Sequence, residues 1–432
     1  MHIPCSLNPM SFESLTETLE FPNESWKQWW YKTGPILVKL MISSNYSIER
    51  QHQYLEFYAR VVVPFLGPYP QVFQSTLTRS GLPVEFSVNY QQHGKRPTVR
   101  IAFEPLSGAR GTEAIAYDRD IAKEFLSTLS ELDLKGFDLR LWDTVSQNIH
   151  IDATEKAMLE ENRVDDTYVR TQTLFGFDLV GDGPISVKVY AFPGLKCKVS
   201  GQSSRELLAN TVKDLQRQVD CAEVFSMVDL YLQESNSYSP YTFFSWDCIE
   251  PLKCRLKVYM CSASMTRAKL EEAWSLGSRL QGPSVDKGLR YLLQLFDHIQ
   301  IPGGELEIKV EHDDRSDTSK STPLMWNYEM RSGDPSPLTK IYLPVHGEND
   351  LKIATGIAHF MEEIGMIDIG KSYLDIMQSY FPENDLEQTD RLTSWISFAF
   401  TEKTGVYISI YYHSSTDNPW KTEIDEEKSA EL

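Results

Sequence analysis

The sequence predicts an α+β fold in which a closed antiparallel β-barrel of ten strands is surrounded by an outer ring of helices. Three observations predict it. Strand-like stretches occur as five hairpins, segments with helical periodicity separate the hairpins, and polar residues alternate with apolar ones along the strands. Sequential hairpins can close without leaving a free edge, and an apolar outer face then needs helices to cover it.

The hairpins are recognised by β-branched and aromatic residues on both sides of a turn signal. In chain order they join LPVEFSVNY to PTVRIAFEP, TQTLFGFDL to ISVKVYAF, YTFFSWDC to CRLKVYMC, TPLMWNYEM to TKIYLP, and SWISFAF to GVYISIYYH. A Lys-apolar-Tyr triplet recurs at Lys188, Lys257 and Lys340. The hairpins are therefore repeats of one structural unit rather than unrelated strand pairs.

Amphipathic helices are predicted before and between the hairpins because apolar residues recur at helical spacing with few Gly or Pro. They cover residues 25–67, 118–134, 203–228 as one helix, 264–280, 286–299, 348–365 and 372–381. We expect a single domain over residues 1–432, with an N-terminal helical block at 1–70, barrel repeats at 75–415 and a flexible C-terminal tail at 416–432.

Alternation along the strands gives each hairpin one polar and one apolar face. In CRLKVYM, for example, Arg255, Lys257 and Tyr259 share a face, and the residues between them are apolar. One interpretation is that these polar faces simply contact water, as in many antiparallel sheets. The other is that they line the interior of the barrel, since every apolar face needs a cover and a ten-stranded barrel can enclose a cavity.

The composition restricts the partners of this protein. Its formal net charge is −19, with 61 acidic against 42 basic residues. Such a charge disfavours binding to nucleic acid or to an anionic membrane. We find no apolar run long enough to span a bilayer and no signal peptide, and the six cysteines lack metal-binding spacing. A cytoplasmic protein without metal or cofactor is the expectation.

Two further patterns bear on metal and nucleotide chemistry. The stretch DDRSD, Asp313–Asp317, has the spacing of an aspartate-rich magnesium motif, but its polar, non-helical surroundings favour a solvated loop. The nine histidines are scattered and form no HExxH pair, which leaves zinc without ligands. A P-loop and a GxGxxG sequence are both lacking, so nucleotide chemistry has no support.

A polar barrel interior would combine positive charge with aromatic rings. Lysine and arginine side chains suit a compact polyanion such as pyrophosphate, and tyrosine faces attract a carbocation. This combination is what transfer of an allylic isoprenoid requires. Glu85 shares a strand face with Ser87 and Asn89 and suits a hydrogen-bond acceptor and general base, although a solvated strand glutamate is the simpler interpretation.

In this order, GLPVEFSVNY, RPTVRIAFEP, VKVYAFP, RLKVY, KIYLPVHGEND and GVYISIYY resemble the fungal aromatic prenyltransferases of the dimethylallyl tryptophan synthase type over nearly the whole chain. The resemblance implies the αββα prenyltransferase barrel, dimethylallyl pyrophosphate as donor and an indole as acceptor. It implies that Glu85 accepts the indole N–H. It implies a pyrophosphate-binding set made of Arg100, Lys188, Arg255, Lys257, Lys340, Tyr190, Tyr259, Tyr342, Tyr407 and Tyr411.

The resemblance also implies that Leu77, Glu85, Leu174 and Thr242 contact the acceptor. Leu174 stands where members that prenylate C4 of tryptophan have a lysine for proton removal, so that regiochemistry is not expected. Thr242 stands where members acting on the free amino acid have an arginine for its carboxylate. A substrate without a free carboxylate, such as a tryptophan-containing cyclic dipeptide or a related indole alkaloid, is therefore favoured.

Several alternatives stay open at the level of sequence. The same barrel could prenylate free tryptophan, tyrosine or a phenolic polyketide, or it could be a non-catalytic ligand-binding barrel, although a neutral ligand has no use for five interior cations. The sequence does not define the native acceptor, the ring position, normal or reverse attachment, or the preferred prenyl chain length. It also leaves the oligomeric state open, a homodimer included.

Overall fold

Ten strands close into an antiparallel barrel in the computed structural model of the protein. The structure describes residues 10–71, 75–94, 96–106, 119–161, 171–181, 183–239, 241–305 and 323–415. The strands are β1 (Val84–Gln91), β2 (Thr98–Phe103), β3 (Thr173–Leu179), β4 (Ile185–Ala191), β5 (Phe243–Asp247), β6 (Arg255–Ser262), β7 (Ser264–Met265), β8 (Gly304–Glu305), β9 (Leu324–Arg331), β10 (Leu338–Pro344), β11 (Thr393–Thr401) and β12 (Gly405–Tyr412).

The five predicted hairpins are the five hairpins of the barrel. Each one pairs with the next along the chain, and β1 pairs with β12 to close the ring. The short strands β7 and β8 form a separate two-stranded ribbon, so that β6 pairs directly with β9. The closed antiparallel barrel predicted from the sequence is confirmed.

Helices cover the outer face of the barrel. They are α1 (Met10–Thr18), α2 (Glu24–Ser43), α3 (Ile48–Phe57), α4 (Arg119–Glu131), α5 (Trp142–Ile149), α6 (Ala153–Glu161), α7 (Gly194–Ser200), α8 (Ser204–Leu215), α9 (Ala222–Glu234), α10 (Arg267–Trp274), α11 (Pro283–Ile299), α12 (Asp350–Glu363) and α13 (Ile367–Tyr380). Outward strand residues such as Val189 and Val258 are fully buried beneath them. The apolar face is thus the outer one, and the polar face points inward.

Tyrosine and threonine hydroxyls on the outer face also bond the helices to the strands. Tyr328 of β9 donates to the carbonyl of Ala273 in α10 at 2.7 Å, and Thr339 of β10 donates to the carbonyl of Trp274 at 3.0 Å. Buried hydroxyls need such partners, since an unsatisfied polar group in a core is costly. These two bonds hold the C-terminal end of α10 against β9 and β10.

The structure differs from the prediction at several helices. The segment 203–228 is not one helix, because the chain turns between α8 and α9, where Asp220 N donates to Ser332 Oγ at 3.1 Å. Helix α1 lies within the predicted N-terminal helical block at 1–70 but ahead of the segment assigned to a helix there, and helices α5, α6 and α7 were not predicted. None of them exceeds nine residues, which is too short for helical periodicity to stand out in a sequence.

Some predicted features lie outside the described residues. The tail at 416–432 and the Asp313–Asp317 stretch are both among them. Within the described part of the chain, no helix combines the length and the apolar character needed to cross a bilayer.

Candidate active site

The barrel encloses a cavity of about 750 Å³ that is lined by the polar faces of its strands. The residues predicted to bind pyrophosphate all line it, together with Glu85. They are Arg100 of β2, Lys188 and Tyr190 of β4, Arg255, Lys257 and Tyr259 of β6, Lys340 and Tyr342 of β10, and Tyr407 and Tyr411 of β12. The alternative in which these polar faces contact only bulk water is therefore wrong.

Three carboxylates that the sequence analysis missed lie among the cations. Directly opposite positions in an antiparallel pair bring side chains together, and here Arg100 faces Asp178. In the same way Lys188 faces Asp247, and Lys257 faces Glu329. A sequence signal for them existed, because each carboxylate lies on the neighbouring strand in phase with a cation.

These carboxylates form ion pairs with most of the cations. Arg100 Nε lies 2.8 Å from Asp178 Oδ1, and Lys188 also contacts that carboxylate. Asp178 keeps its pKa well below the ordinary range, because the positive charges of Arg100 and Lys188 outweigh the effect of its burial.

A second group of ion pairs surrounds Arg255. This arginine binds both oxygens of Asp247, and Arg255 Nη2 lies 2.8 Å from Asp247 Oδ1. Lys257 Nζ lies 3.7 Å from Glu329 Oε2. Asp247 lies behind the cavity wall, whose lining contains seven lysine and arginine side chains against four carboxyl groups. Positive charge is therefore in excess inside an acidic protein.

Lys340 differs from the other interior cations. Within the described part of the chain, no carboxylate lies at ion-pair distance from its ammonium group, which instead lies 4.8 Å from the ring centre of Tyr407 and 5.4 Å from that of Tyr342. Burial lowers its pKa well below the ordinary value, and the nearby positive charge of Arg100 lowers it further.

Burial likewise lowers the pKa of Lys188 to about 7, against the opposing effect of Asp178.

Aromatic rings form a belt beside the cations. The ring centres of Tyr190 and Tyr259 are 6.0 Å apart, those of Tyr259 and Tyr342 6.1 Å, and those of Tyr342 and Tyr411 6.2 Å. Phe243, which the sequence analysis missed, stacks on Tyr259 at 4.3 Å. Such a belt presents electron-rich faces to any positive charge that develops in the cavity.

Glu85 lines the cavity from β1. Its side chain is only 6% exposed, and its Oε1 accepts a hydrogen bond of 2.8 Å from Ser394 Oγ. Burial raises its pKa to about 8, although the Ser394 hydroxyl opposes this shift. A carboxyl group with a pKa in this range can hold or release a proton near neutral pH.

Leu77, Leu174 and Thr242 are not among the residues that line the cavity. Leu77 lies half-buried in the loop before β1, and Leu174 is buried opposite Tyr190. Thr242 is fully buried, and its hydroxyl accepts from Ser239 N at 3.1 Å. Phe243 pairs with Tyr259, so it is Phe243 that shares the inner face of the barrel at this point.

The comparison with protein families identifies this barrel. The profile of the family described as tryptophan dimethylallyltransferase matches residues 26–376, which is most of the chain. The chain belongs to this family. It is an indole prenyltransferase, as the sequence resemblance implied.

The relatives of this prenyltransferase match it over almost its full length. Prenyltransferase okaC of Penicillium ochrochloron is 50% identical, with 97% of each chain covered. Prenyltransferase malE of Malbranchea aurantiaca is 45% identical, with 96% of this chain and 94% of the relative covered. The crystal structure of NotF in complex with brevianamide F and DMSPP is 35% identical and has a TM-score of 0.85, covering 94% of this chain and 99% of that one.

In the part of the prenyltransferase that the structure describes, the carboxylates beside the interior cations are paired with those cations and are not gathered for a metal ion. Across the residues that the structure describes, there is no group of three or more His, Cys, Asp or Glu side chains that could hold a metal ion. Asp178, Asp247 and Glu329 are instead engaged with lysine and arginine.

Proposed function

We propose that this prenyltransferase moves a dimethylallyl group from dimethylallyl pyrophosphate to the indole ring of a tryptophan-containing cyclic dipeptide or a related indole alkaloid. NotF was solved with brevianamide F and DMSPP, which is dimethylallyl thiolodiphosphate. The similarity to NotF supports a prenyl pyrophosphate donor and a tryptophan-derived acceptor. The observation that carries the proposal is the single cavity in which the interior cations, the tyrosine belt and Glu85 meet.

The interior cations are proposed to bind the pyrophosphate of the donor. Arg100 approaches from β2, Lys188 from β4, and Arg255 and Lys257 from β6. Lys340 of β10 adds an amine without a carboxylate partner in the described chain. When the C–O bond of the donor breaks, the pyrophosphate leaves with the electron pair. Arginine and lysine donors stabilise the negative charge that develops on it.

The tyrosine belt is proposed to shield the allylic cation that this cleavage leaves behind. Ring faces attract a cation without offering a nucleophilic lone pair at short range. Phe243 and Tyr259, stacked at 4.3 Å, extend the belt with apolar surface. Exclusion of water by such a surface protects the cation from hydrolysis.

Glu85 is proposed to accept a hydrogen bond from the indole N–H. That bond raises the electron density of the ring, whose π electrons form the new C–C bond with the cation. Where attack occurs at a ring carbon that bears hydrogen, a proton then leaves that carbon and aromaticity returns. The pyrophosphate held by the cations is the proposed base for that proton. The products are then the prenylated indole and the protonated pyrophosphate.

The acceptor preference rests on the residues near the Glu85 end of the barrel. The strand register places Leu174 and Phe243 opposite Tyr190 and Tyr259 on the inner face, although neither lines the cavity itself. Both side chains are apolar, and neither can bind a free carboxylate. The inference drawn from Thr242 therefore has support from the neighbouring Phe243, although Thr242 itself does not line the cavity. An acceptor whose tryptophan carboxylate is already in an amide bond would avoid an unpaired buried charge.

The proposal is tested by incubating the purified chain with dimethylallyl pyrophosphate in excess EDTA, against brevianamide F, tryptophan, tyrosine and a naphthol. Addition of one prenyl unit to brevianamide F, detected by mass spectrometry, is the expected result. Product from tryptophan alone would contradict the acceptor proposal. Product that needs added magnesium would contradict metal independence, and no product with any of these acceptors would contradict the proposed acceptor class.

A matched variant tests the role of Glu85. Glu85→Gln keeps the shape of the side chain but removes its negative charge. We expect turnover to fall roughly a hundredfold and the Kd for DMSPP to stay within about twofold of the wild-type value, because the cations of the donor site are untouched. Loss of DMSPP binding in a folded variant would contradict the assigned role.

A further inference from the structure

We propose that Ser394 is a positioning residue for Glu85, and that a β-bulge in β11 holds its hydroxyl in place for that purpose. The proposal rests on the proposed function of Glu85 and concerns how this carboxyl group is oriented. Ser394 lies 309 residues from Glu85 in the chain, so the sequence contains no local signal that connects the two residues.

The bulge is what turns Ser394 toward Glu85. Thr393 pairs with Tyr412 and Trp395 pairs with Tyr411, so that Ser394 is an extra residue with no partner of its own in β12. A bulge of this kind re-aims a side chain that regular alternation would direct elsewhere. The Ser394 backbone is fixed on its other side, where its carbonyl accepts from Val345 N at 3.1 Å.

The hydrogen bond from Ser394 reaches across an entire strand. Glu85 belongs to β1 and Ser394 to β11, and β12 lies between them. Ser394 Oγ lies 2.8 Å from Glu85 Oε1 and 3.4 Å from the carbonyl oxygen of Tyr411. A hydroxyl has one hydrogen to donate, so the shorter and charge-assisted contact with Glu85 is the one that matters.

The bond from Ser394 engages one carboxyl oxygen of Glu85 and leaves the other for the acceptor. Among the described residues, the bond from Ser394 to Oε1 is the one hydrogen bond that the Glu85 side chain makes, and Oε2 is left for the acceptor N–H. Both side chains are buried, at 6% and 8% exposure, so that water does not replace the hydroxyl freely. The serine thereby favours the charged carboxylate and fixes its orientation.

Other titratable groups lie at this end of the barrel and have to be separated from the effect of Ser394. The strands beside β1 carry Arg100 and, just after β2, Glu104 on one side, and Tyr411 and His413 on the other. Glu104 is itself buried with a pKa raised to about 7 by its burial, but its Oε2 is bonded to Ser75. None of these groups changes when Ser394 is replaced, which isolates the serine in a mutant comparison.

The test compares Ser394→Ala with Ser394→Thr in the full chain. The substrates are dimethylallyl pyrophosphate and the acceptor that gives product in the screen described above. For Ser394→Ala we expect kcat to fall roughly tenfold and the acidic limb of kcat/KM for the acceptor to move to higher pH. The KM for the donor should stay unchanged. Ser394→Thr, which keeps the hydroxyl, should restore both the rate and the pH profile.

Ser414→Ala is the matched control, because that buried hydroxyl bonds the carbonyl of Val84, beside Glu85, at 2.6 Å. Its pH profile should match that of the wild type. A wild-type pH profile in Ser394→Ala would overturn the proposal, as would an identical shift in Ser414→Ala.

A double-mutant cycle separates this proposal from the proposed function. If Ser394 acts through Glu85, adding Ser394→Ala to Glu85→Gln should cost nothing more. Additive losses would mean that Ser394 has only a structural role. Wild-type turnover in Glu85→Gln alone would instead show that the role assigned to Glu85 is wrong, whatever Ser394 does.

Discussion

A buried carboxyl group gains a proton more readily than an exposed one, and Glu85 is the residue where this matters most. Burial raises its pKa to about 8, so in the empty cavity the charged form exists mainly above that pH. We therefore expect kcat/KM for the acceptor to rise as the pH increases through about 8, because Glu85 must lose its proton before it can accept the indole N–H. Initial rates between about pH 6 and 10 with saturating donor measure this. A profile that is flat above about pH 5 would mean that Glu85 titrates like an exposed glutamate.

Lys340 is the second residue whose surroundings make a specific prediction. Its ammonium group contacts two tyrosine rings and, in the described part of the chain, pairs with no carboxylate. A bound pyrophosphate would supply the negative charge that this buried amine lacks, and would favour the protonated form that burial disfavours. Lys340→Met should raise the Kd for DMSPP roughly tenfold or more, as measured by calorimetry. Lys253→Met, at an exposed surface lysine, is the control and should leave the Kd unchanged. Equal affinities in Lys340→Met and wild type would remove Lys340 from the donor site.

At the scale of elements, the hairpins were predictable because each is encoded locally by strand residues on both sides of a turn. The interior carboxylates were missed for a related reason. Alternation on one strand of a hairpin reveals its polar face, but the pairing of Lys188 with Asp247 depends on which strands are neighbours across hairpins. The bulge at Ser394 and the inward orientation of Phe243 were not predictable from the sequence. Both depend on where a strand begins and on its register with the neighbouring strand, and amino-acid composition reveals neither.

The pairing between strands β5 and β6 also predicts a stability change. Asp247 is almost fully buried and binds Arg255 through both oxygens. Asp247→Asn removes the carboxylate that binds Arg255 through both oxygens and leaves that arginine only the longer contact with Glu329, at 3.6 Å. The change should reduce the free energy of unfolding by about 3 kcal/mol, as measured by urea denaturation. Pyrophosphate should restore part of this loss, because it supplies negative charge to the same arginine. The control is Asp138→Asn, which breaks a pair with the exposed Arg140 and should cost less than about 1 kcal/mol. Similar losses in the two variants would argue against a special role for the interior pair.

At the scale of the whole molecule, the protein separates its charges by position. The chain carries a net charge of −19, yet its interior cavity holds more cations than carboxylates among the predicted donor-binding residues and their partners. An acidic exterior does not attract large polyanions, whereas a small polyanion that enters the barrel meets concentrated positive charge. The closed barrel makes this possible, since cations on strands far apart in sequence converge only when the ring of strands is complete.

Because these cations converge in one cavity, binding of pyrophosphate should stabilise the entire barrel. Arg100, Lys188, Lys257 and Lys340 belong to β2, β4, β6 and β10, so a bound pyrophosphate connects four strands around the ring. Because the unfolded chain lacks this arrangement, pyrophosphate at a hundred times its Kd should stabilise the native state by about 2.7 kcal/mol. Thermal unfolding in EDTA with increasing pyrophosphate measures the effect, with sulfate at equal ionic strength as the control for general salt effects. A melting temperature that rises equally with both anions would show that the interior cations do not form a specific pyrophosphate site.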